Sequence, residues 1–522
     1  MAFTKTTQRK ERGQLRIKPT ARAGKVQHNI VLDEQNFIRA SFGTTQQTKL
    51  GGAVLLAKLE METSLVRGAA EAMRDSRLTS QIRFTLFDLV WQRVLLICCG
   101  YEDGYDVALM AHDPGLRLAL LPERQRELAS QPTMSRFENQ ISFANSYRLA
   151  VCLLLFYIQT KRKQPRSIRL DFDGSCIPTF GRQEGSSYRA YYRTNMYFPL
   201  FVFDEDGVLI TAILRPGEHG EARLTLAVLK RLTKAFRNAW PEVSIKVVMD
   251  AAFNDPRIYD WCEDNKVFYL IKLKNCGGKG SGLTSKAKPL AKLCKESFGS
   301  RFSSAQYYST PAAGSGKQKS KKTKSQREKE IKAISDPKKR KSAWEEYSSR
   351  VVRRYGDFDH RTGKGGQDKK QWRQDRRVLV ECIYDDWGPR NTFWVTNIVG
   401  EESSHLINQV YSRRANAELR IKDAKMFRCD KLSCHSLSAN QFRLLLHVLA
   451  QRLMFKFREL VPAADCRISL STVKEHYICI PAIVEFKARN INLIWSQNHP
   501  LKNRMHAVCS RLTKTNYLSR AA

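Results

Sequence analysis

The sequence has no long apolar run. Its longest, Leu149 to Ile158, is about half of the ~20 residues that a bilayer-crossing helix needs, so it reads as a buried helix and no membrane span is expected. A cysteine framework is missing as well. The thirteen cysteines are scattered without a repeating spacing, and an odd total in a long charged chain favours reduced thiols over disulfides. Cys429 and the Cys434-His435 pair come nearest to metal-ligand spacing, but a zinc site needs a second close pair and the sequence has none, so they read as buried or bystander thiols. The N-terminus is basic with no apolar core behind it, which argues against a secretory signal and for a cytoplasmic, nucleoid-associated prokaryotic protein. Acid, too, is scarce: 51 Asp and Glu face 89 Lys and Arg, a net charge of +38. That excess is far more than solubility requires, and it recurs along the whole chain instead of on one amphipathic helix. The expected partner is therefore a nucleic acid and not a membrane surface.

At 522 residues the chain exceeds one simple core. Residues 1 to about 28 form a basic, polar arm, and from about 45 to 165 the pattern is helical, as in Phe84 to Ile97, where apolar residues recur at three- and four-residue spacing. Residues 1–165 thus read as a basic arm and a helical domain that binds nucleic acid, the charge alone not choosing DNA over RNA. At Ser167 the texture changes. Strands are expected over Ser167–Asp173, Tyr191–Phe203 and Val208–Leu214, with a turn at Asp204–Gly207; helix 220–238, strand Val243–Asp250, helix Asp255–Asn265 and strand Lys266–Lys274 follow. The order β-β-β-α-β-α-β implies an α/β fold with a mixed sheet covered by helices, matching a ribonuclease H-like catalytic core whose first part is 166–275. From 275 to about 375, Gly, Ser and Lys clusters predict a loose, DNA-facing segment. Strands over Arg377–Tyr384 and Thr392–Asn397 complete an inserted basic and β region, 276–400. The core resumes at 401–430 with a helix over Ser403–Lys425, and 431–522 is read as a helical C-terminal region, as Gln441 to Phe457 suggests.

Three places carry chemistry. The first strand ends in Asp171-Phe-Asp173-Gly-Ser, and strand alternation puts both acids on one face, so either suits a hard divalent cation. Asp250 ends the fourth strand, which the inferred topology places beside the first. The third is Tyr411-Ser-Arg-Arg414-Ala-Asn-Ala-Glu418-Leu-Arg-Ile-Lys-Asp-Ala-Lys425. On a helix advancing ~100° per residue, Tyr411, Arg414, Glu418 and Lys425 fall within about 60° of one another, a single polar stripe. Charge pairs on an exposed helix would give the same pattern. The sharper reading is that Asp173, Asp250 and Glu418 hold metal for two-ion phosphoryl transfer, while Arg414 and Lys425 bind phosphates flanking the scissile bond and Tyr411 donates a hydrogen bond to one of them.

The Asp-Gly-Ser after a strand, the second Asp and the Tyr-x2-Arg-x3-Glu-x6-Lys helix resemble the DDE transposases of the IS4 group, and the chain looks closest to the IS1380 family of insertion-sequence transposases. Gly100-Tyr-Glu-Asp-Gly-Tyr-Asp106, Asp113-Pro-Gly-Leu-Arg-Leu-Ala and Gly181-Arg-Gln-Glu-Gly185 add to the likeness, which runs from about 80 to 455. Two positions depart from the family pattern: Phe180 stands where a His is usual, and Ala251-Ala252 where Ser-Gly is usual. The resemblance implies a ribonuclease H-like fold with an insertion before the Glu helix. It also implies binding of double-stranded DNA at terminal inverted repeats, Mg²⁺-dependent cleavage with two ions and Mn²⁺ as a substitute, strand transfer into target DNA, and a homodimer or larger assembly on paired ends. Some relatives pass through a hairpin end with an aromatic stacked on a flipped base; Trp387 and Trp394 are the candidates here, although a packing role is the commoner fate of such residues. A nuclease without strand transfer and a non-catalytic transposase-derived DNA-binding protein are the competing readings.

Overall fold

The computed structural model describes residues 27–31, 37–41, 45–120, 127–161, 163–218, 222, 224–274, 282–302, 324–362, 371–385, 388–414, 421–423, 425, 428–465, 468–487 and 490–514. Helices α1 (Leu86–Cys98), α2 (Gln131–Gln140) and α3 (Phe143–Thr160) dominate the N-terminal region. Thr85 and Asp88 start α1 with a capping box: the Thr85 hydroxyl accepts from the Asp88 amide at 3.1 Å and the Asp88 carboxylate from the Thr85 amide at 2.8 Å. Every residue from Leu89 to Cys98 is buried, which makes α1 a core helix on all sides. α3 differs from the buried helix expected of its apolar run. Leu149, Leu153 and Tyr157 face the core, while Phe143, Tyr147, Val151 and Leu155, at four-residue spacing, lie on an exposed stripe. Among the described residues no single helix is long and apolar enough to cross a membrane.

The N-terminal region is not purely helical. Gln27–Val31 and Phe37–Ser41 form an antiparallel hairpin, and Gln47–Thr48 pairs with Ala482–Phe486, which also pairs with Ile491–Trp495. The first and last parts of the chain therefore share a small sheet, and the C-terminal region carries strands that helical periodicity does not reveal.

An eight-stranded mixed sheet forms the centre. Its strands are β1 (Ser167–Gly174), β2 (Leu200–Phe203), β3 (Leu209–Ile213), β4 (Ser244–Met249), β5 (Phe268–Lys272), β6 (Val352–His360), β7 (Arg376–Asp385) and β8 (Gly388–Thr396). Their spatial order is β6-β7-β8-β5-β4-β1-β2-β3. β1, β4 and β5 run parallel to one another and the other pairings are antiparallel. Residues Tyr191–Phe203 do not make one strand: Thr194–Tyr197 joins a separate small sheet with Ile177–Pro178 and Ser187–Arg189, and the chain breaks at Phe198-Pro199 before β2. Proline there has no amide to give to a ladder. The inserted region is also more ordered than its composition suggests. Helix α6 (Lys288–Phe302) packs on β6 and β7, and helices Lys324–Lys332 and Pro337–Ser349 precede β6. The insertion's three strands extend the central sheet.

Alternation along β1 sorts its side chains. Ile168, Leu170 and Phe172 enter a core with α4 (Thr225–Ala239) and α5 (Pro256–Asp264), through residues such as Leu229, Phe236 and Tyr259. Arg169, Asp171 and Asp173 take the opposite face. On that face a smaller core of Leu270, Leu379, Trp394, Ile398, Leu406 and Ile407 holds the segment 403–414 against the sheet.

Helix α7 (Leu437–Arg458) ties the units together. It is buried along most of its 22 residues and shares one core with α1 and α3. Burying each leucine of this core contributes about 2 kcal/mol. Its polar residues finish the edge of the sheet. The Gln441 side chain accepts from the Leu214 amide at 2.6 Å and donates to the Ala212 carbonyl at 3.1 Å, and Arg452 donates to the carbonyls of Leu209 at 2.8 Å and Ile210 at 3.2 Å. A buried ion triad joins the same elements: Glu138 of α2 lies 2.6 Å from Arg93 of α1 and 3.6 Å from Arg443 of α7.

Candidate active site

Because β1 and β4 are parallel neighbours in register, with Phe172 opposite Met249, the next residues lie side by side: Asp173, still paired with Phe201 of β2, and Asp250, just past the end of β4. Asp173 is buried and its Oδ1 accepts from the Gly174 amide at 2.9 Å. Asp250 is partly exposed. Its Oδ1 accepts from the Ala252 amide at 2.8 Å, capping the 3-10 turn Ala251–Phe253, so the ordinary turn role is fulfilled by one oxygen while the other faces the site.

Arg414 fills the space between the two acids. Its Nη2 is 2.9 Å from Asp173 Oδ1 and 3.7 Å from Asp250 Oδ2. Burial works against its charge, but Asp173, then Tyr411, Asp250 and Asp171, outweigh that cost and hold its pKa above the ordinary arginine value. Tyr411 stands beside it, half-buried, with its ring edge-on to Trp394 at 5.4 Å and 68°. Burial raises the Tyr411 phenol, partly opposed by the Arg414 cation, so it stays a neutral donor. Trp394 itself is only 3 % exposed and packs in the core; Trp387 lies outside the described residues.

The segment carrying these groups is not a regular α-helix. Leu406–Tyr411 is π-helical and Ser412–Arg414 is 3-10, so the uniform 100° advance assumed for the polar stripe does not hold over this segment. Tyr411 and Arg414 still meet at one cleft, because residues three apart nearly eclipse in a 3-10 turn. Glu418 lies outside the described residues. Lys425, seven positions further on, donates from Nζ to the Cys176 carbonyl at 3.1 Å, just past the end of β1. Gly174 is needed at that end, since a Cβ there would come 2.5 Å from the Phe198 ring.

Asp171 has a different environment from Asp173. It is fully buried, and Arg169, two residues earlier on the same face, pairs with it at 2.9 Å. Arg169-x-Asp171 is the sequence signal that separates the two acids, since strand alternation puts the pair together. A cleft of about 580 Å³ opens beside Asp250 and is lined by Lys272, Arg353, Glu381, Asn408, Tyr411 and Arg414. Lys272 and Arg353 are functional candidates that motif reasoning missed; Lys272 at the end of β5, next to the Asp250 strand, was the readable one. Among the described residues no group of three or more His, Cys, Asp or Glu residues is placed to hold a metal. Cys429 and Cys434 are buried, which pushes the Cys429 thiol up to about 12 and raises that of Cys434.

The sequence profile of the family described as "Transposase DDE domain group 1" matches residues 31–517. This chain belongs to that transposase family. No curated protein matches it. Among solved structures it is similar to one described as a piggyBac transposase synaptic complex with hairpin DNA, at 11% identity over 81% of this chain and 80% of that one, with a TM-score of 0.33. For the transposase, Asp173 and Asp250 offer hard oxygen donors and no soft ligand, a set that suits Mg²⁺ in kind.

Proposed function

We propose that the chain is a cut-and-paste DNA transposase of the IS1380 type, built on a ribonuclease H-like core and working on double-stranded DNA at terminal inverted repeats and at a target. The observation that carries this is the pair of adjacent strand-end carboxylates, Asp173 and Asp250, with Arg414 between them, in a chain of the transposase family. Asp173, Asp250 and Glu418 would hold two Mg²⁺ ions, or Mn²⁺ in their place, which when bound lower the pKa of an attacking water or 3′-hydroxyl and stabilise the departing 3′ oxygen. Arg414 and Lys425 supply the cations that let a phosphodiester approach this acidic strand end, and Tyr411 donates a hydrogen bond to a neighbouring phosphate. Attack in line on phosphorus breaks the P–O3′ bond and passes the proton of the nucleophile to solvent. Pairing of two ends calls for a homodimer or larger assembly, in the cytoplasm of a prokaryote.

The test is Glu418→Gln assayed on end DNA with Mg²⁺. Cleavage should fall to background while end binding survives. Retained cleavage overturns the assignment of Glu418. Pre-cut ends given to the wild type should yield strand-transfer products; if only hydrolysis is seen, the chain is a nuclease and the transposition reading fails.

A further inference from the structure

The helical unit contains a second cavity, of about 610 Å³, that shares no residue with the cleft at Asp250. Five arginines line it: Arg74, Arg77, Arg83, Arg136 and Arg148. Two are answered by acids. Arg77 holds Asp75 through two hydrogen bonds of 2.8 and 2.6 Å, and Arg83 lies 2.9 Å from Glu127. Arg74, Arg136 and Arg148 make no ion pair among the described residues. Neutral acceptors aim two of them: Arg136 Nε donates to the Pro132 carbonyl at 3.2 Å, and Arg148 Nη1 to Asn145 Oδ1 at 3.0 Å. Asn145 is buried and also bonds the backbone of Arg74 from both its amide oxygen and its amide nitrogen, at 2.9 and 2.8 Å, so the Arg74 turn and the first turn of α3 are fixed to each other.

Two further features favour an anion with an apolar part. The N-terminal ends of α2 and α3 both line the cavity, through Ser130, Thr133 and Ser142, and the α2 cap residue Ser130 makes no capping hydrogen bond, so the positive ends of both helices add to the arginine field. Phe84, Leu89, Phe137 and Ile141 provide the buried apolar wall. The volume falls in the range of small-ligand sites and is far larger than a bare phosphate needs.

We propose that this cavity takes one nucleotide unit of a DNA strand, its phosphate on Arg74, Arg136 and Arg148 and its base against the Phe84 and Ile141 wall. The source of the nucleotide rests on the transposase reading; the pocket does not. Adenosine monophosphate, titrated into the full chain by calorimetry, is the probe. It should bind at one site per chain, be displaced by a 5′-phosphorylated oligonucleotide, and weaken about tenfold or more in Arg136→Ala/Arg148→Ala, with the melting temperature unchanged. Adenosine and inorganic phosphate should each bind more weakly than the monophosphate. Asp173→Asn should leave this binding untouched, which separates failure of the pocket from failure of the proposed active site. Binding that ignores the double arginine substitution, or that spreads over many sites, would overturn the pocket. Monophosphate retained against saturating oligonucleotide would overturn the DNA assignment in favour of a free nucleotide.

Discussion

Buried charge is handled in two ways in this molecule. In the helical unit Arg93, Glu138 and Arg443 form a sealed triad with side-chain exposures of 1 %, 6 % and 4 %, enclosed by the helices it joins. At the end of the central sheet Asp173 and Asp250 are bridged by Arg414, and Asp250 opens onto the cleft with its side chain 36 % exposed. The sealed group has nothing to exchange its partners for, so it serves cohesion. In the open group ligand oxygens or phosphates can replace the arginine contacts, and it holds its charges ready at the cost of tighter packing.

Substitutions test that contrast. Asp173→Asn should reduce end cleavage to background while changing the melting temperature little; a large loss of stability would make the pair structural after all. Glu138→Gln should do the reverse, lowering unfolding free energy by about 3 kcal/mol because two buried arginines lose their shared acid, with cleavage per folded molecule preserved. Glu60 offers a pH handle on the sealed kind. Its carboxylate accepts from the Val66 and Arg67 amides at 2.9 and 2.8 Å, and burial raises its pKa from 4.5 to about 7. The folded value lies above the unfolded one, so the stability it contributes is full below pH 4.5 and is lost as pH rises through about 7. Denaturant melts of wild type and Glu60→Gln should therefore diverge across that window by up to roughly 3 kcal/mol. The smallest effect is expected of Arg414→Ala: weaker end binding, with the slope of log affinity against log salt reduced by about one. An unchanged slope would mean that Arg414 never meets a phosphate.

Strand alternation made β1 and β4 readable, and their terminal acids with them, because one face of each strand is apolar and the turn residues that follow are conspicuous. Other parts gave no such signal. Among the described side chains of helices Lys324–Lys332 and Pro337–Ser349 only Ile331 is fully buried, and so few buried apolar residues leave little periodicity to find. α6 buries only Cys294 fully, amid lysines. The turn types around Tyr411 were hidden for a different reason: a stripe computed at 3.6 residues per turn assumes the helix it sets out to detect. Pro199 marked the break before β2 in plain view, and the run of aromatic and β-branched residues around it was read through.

The polar contacts of α7 with β3 have a consequence for the molecule among its copies. A strand at the rim of a sheet is a template for any extended chain it meets. On one rim Gln441 and Arg452 already occupy backbone groups of residues 209–214. The other rim, β6, carries two arginines, Arg353 and Arg354, followed by two acids, Asp357 and Asp359. With one rim's backbone groups engaged by α7 and the other rim charged, both edges of the sheet are poor templates for a ninth strand.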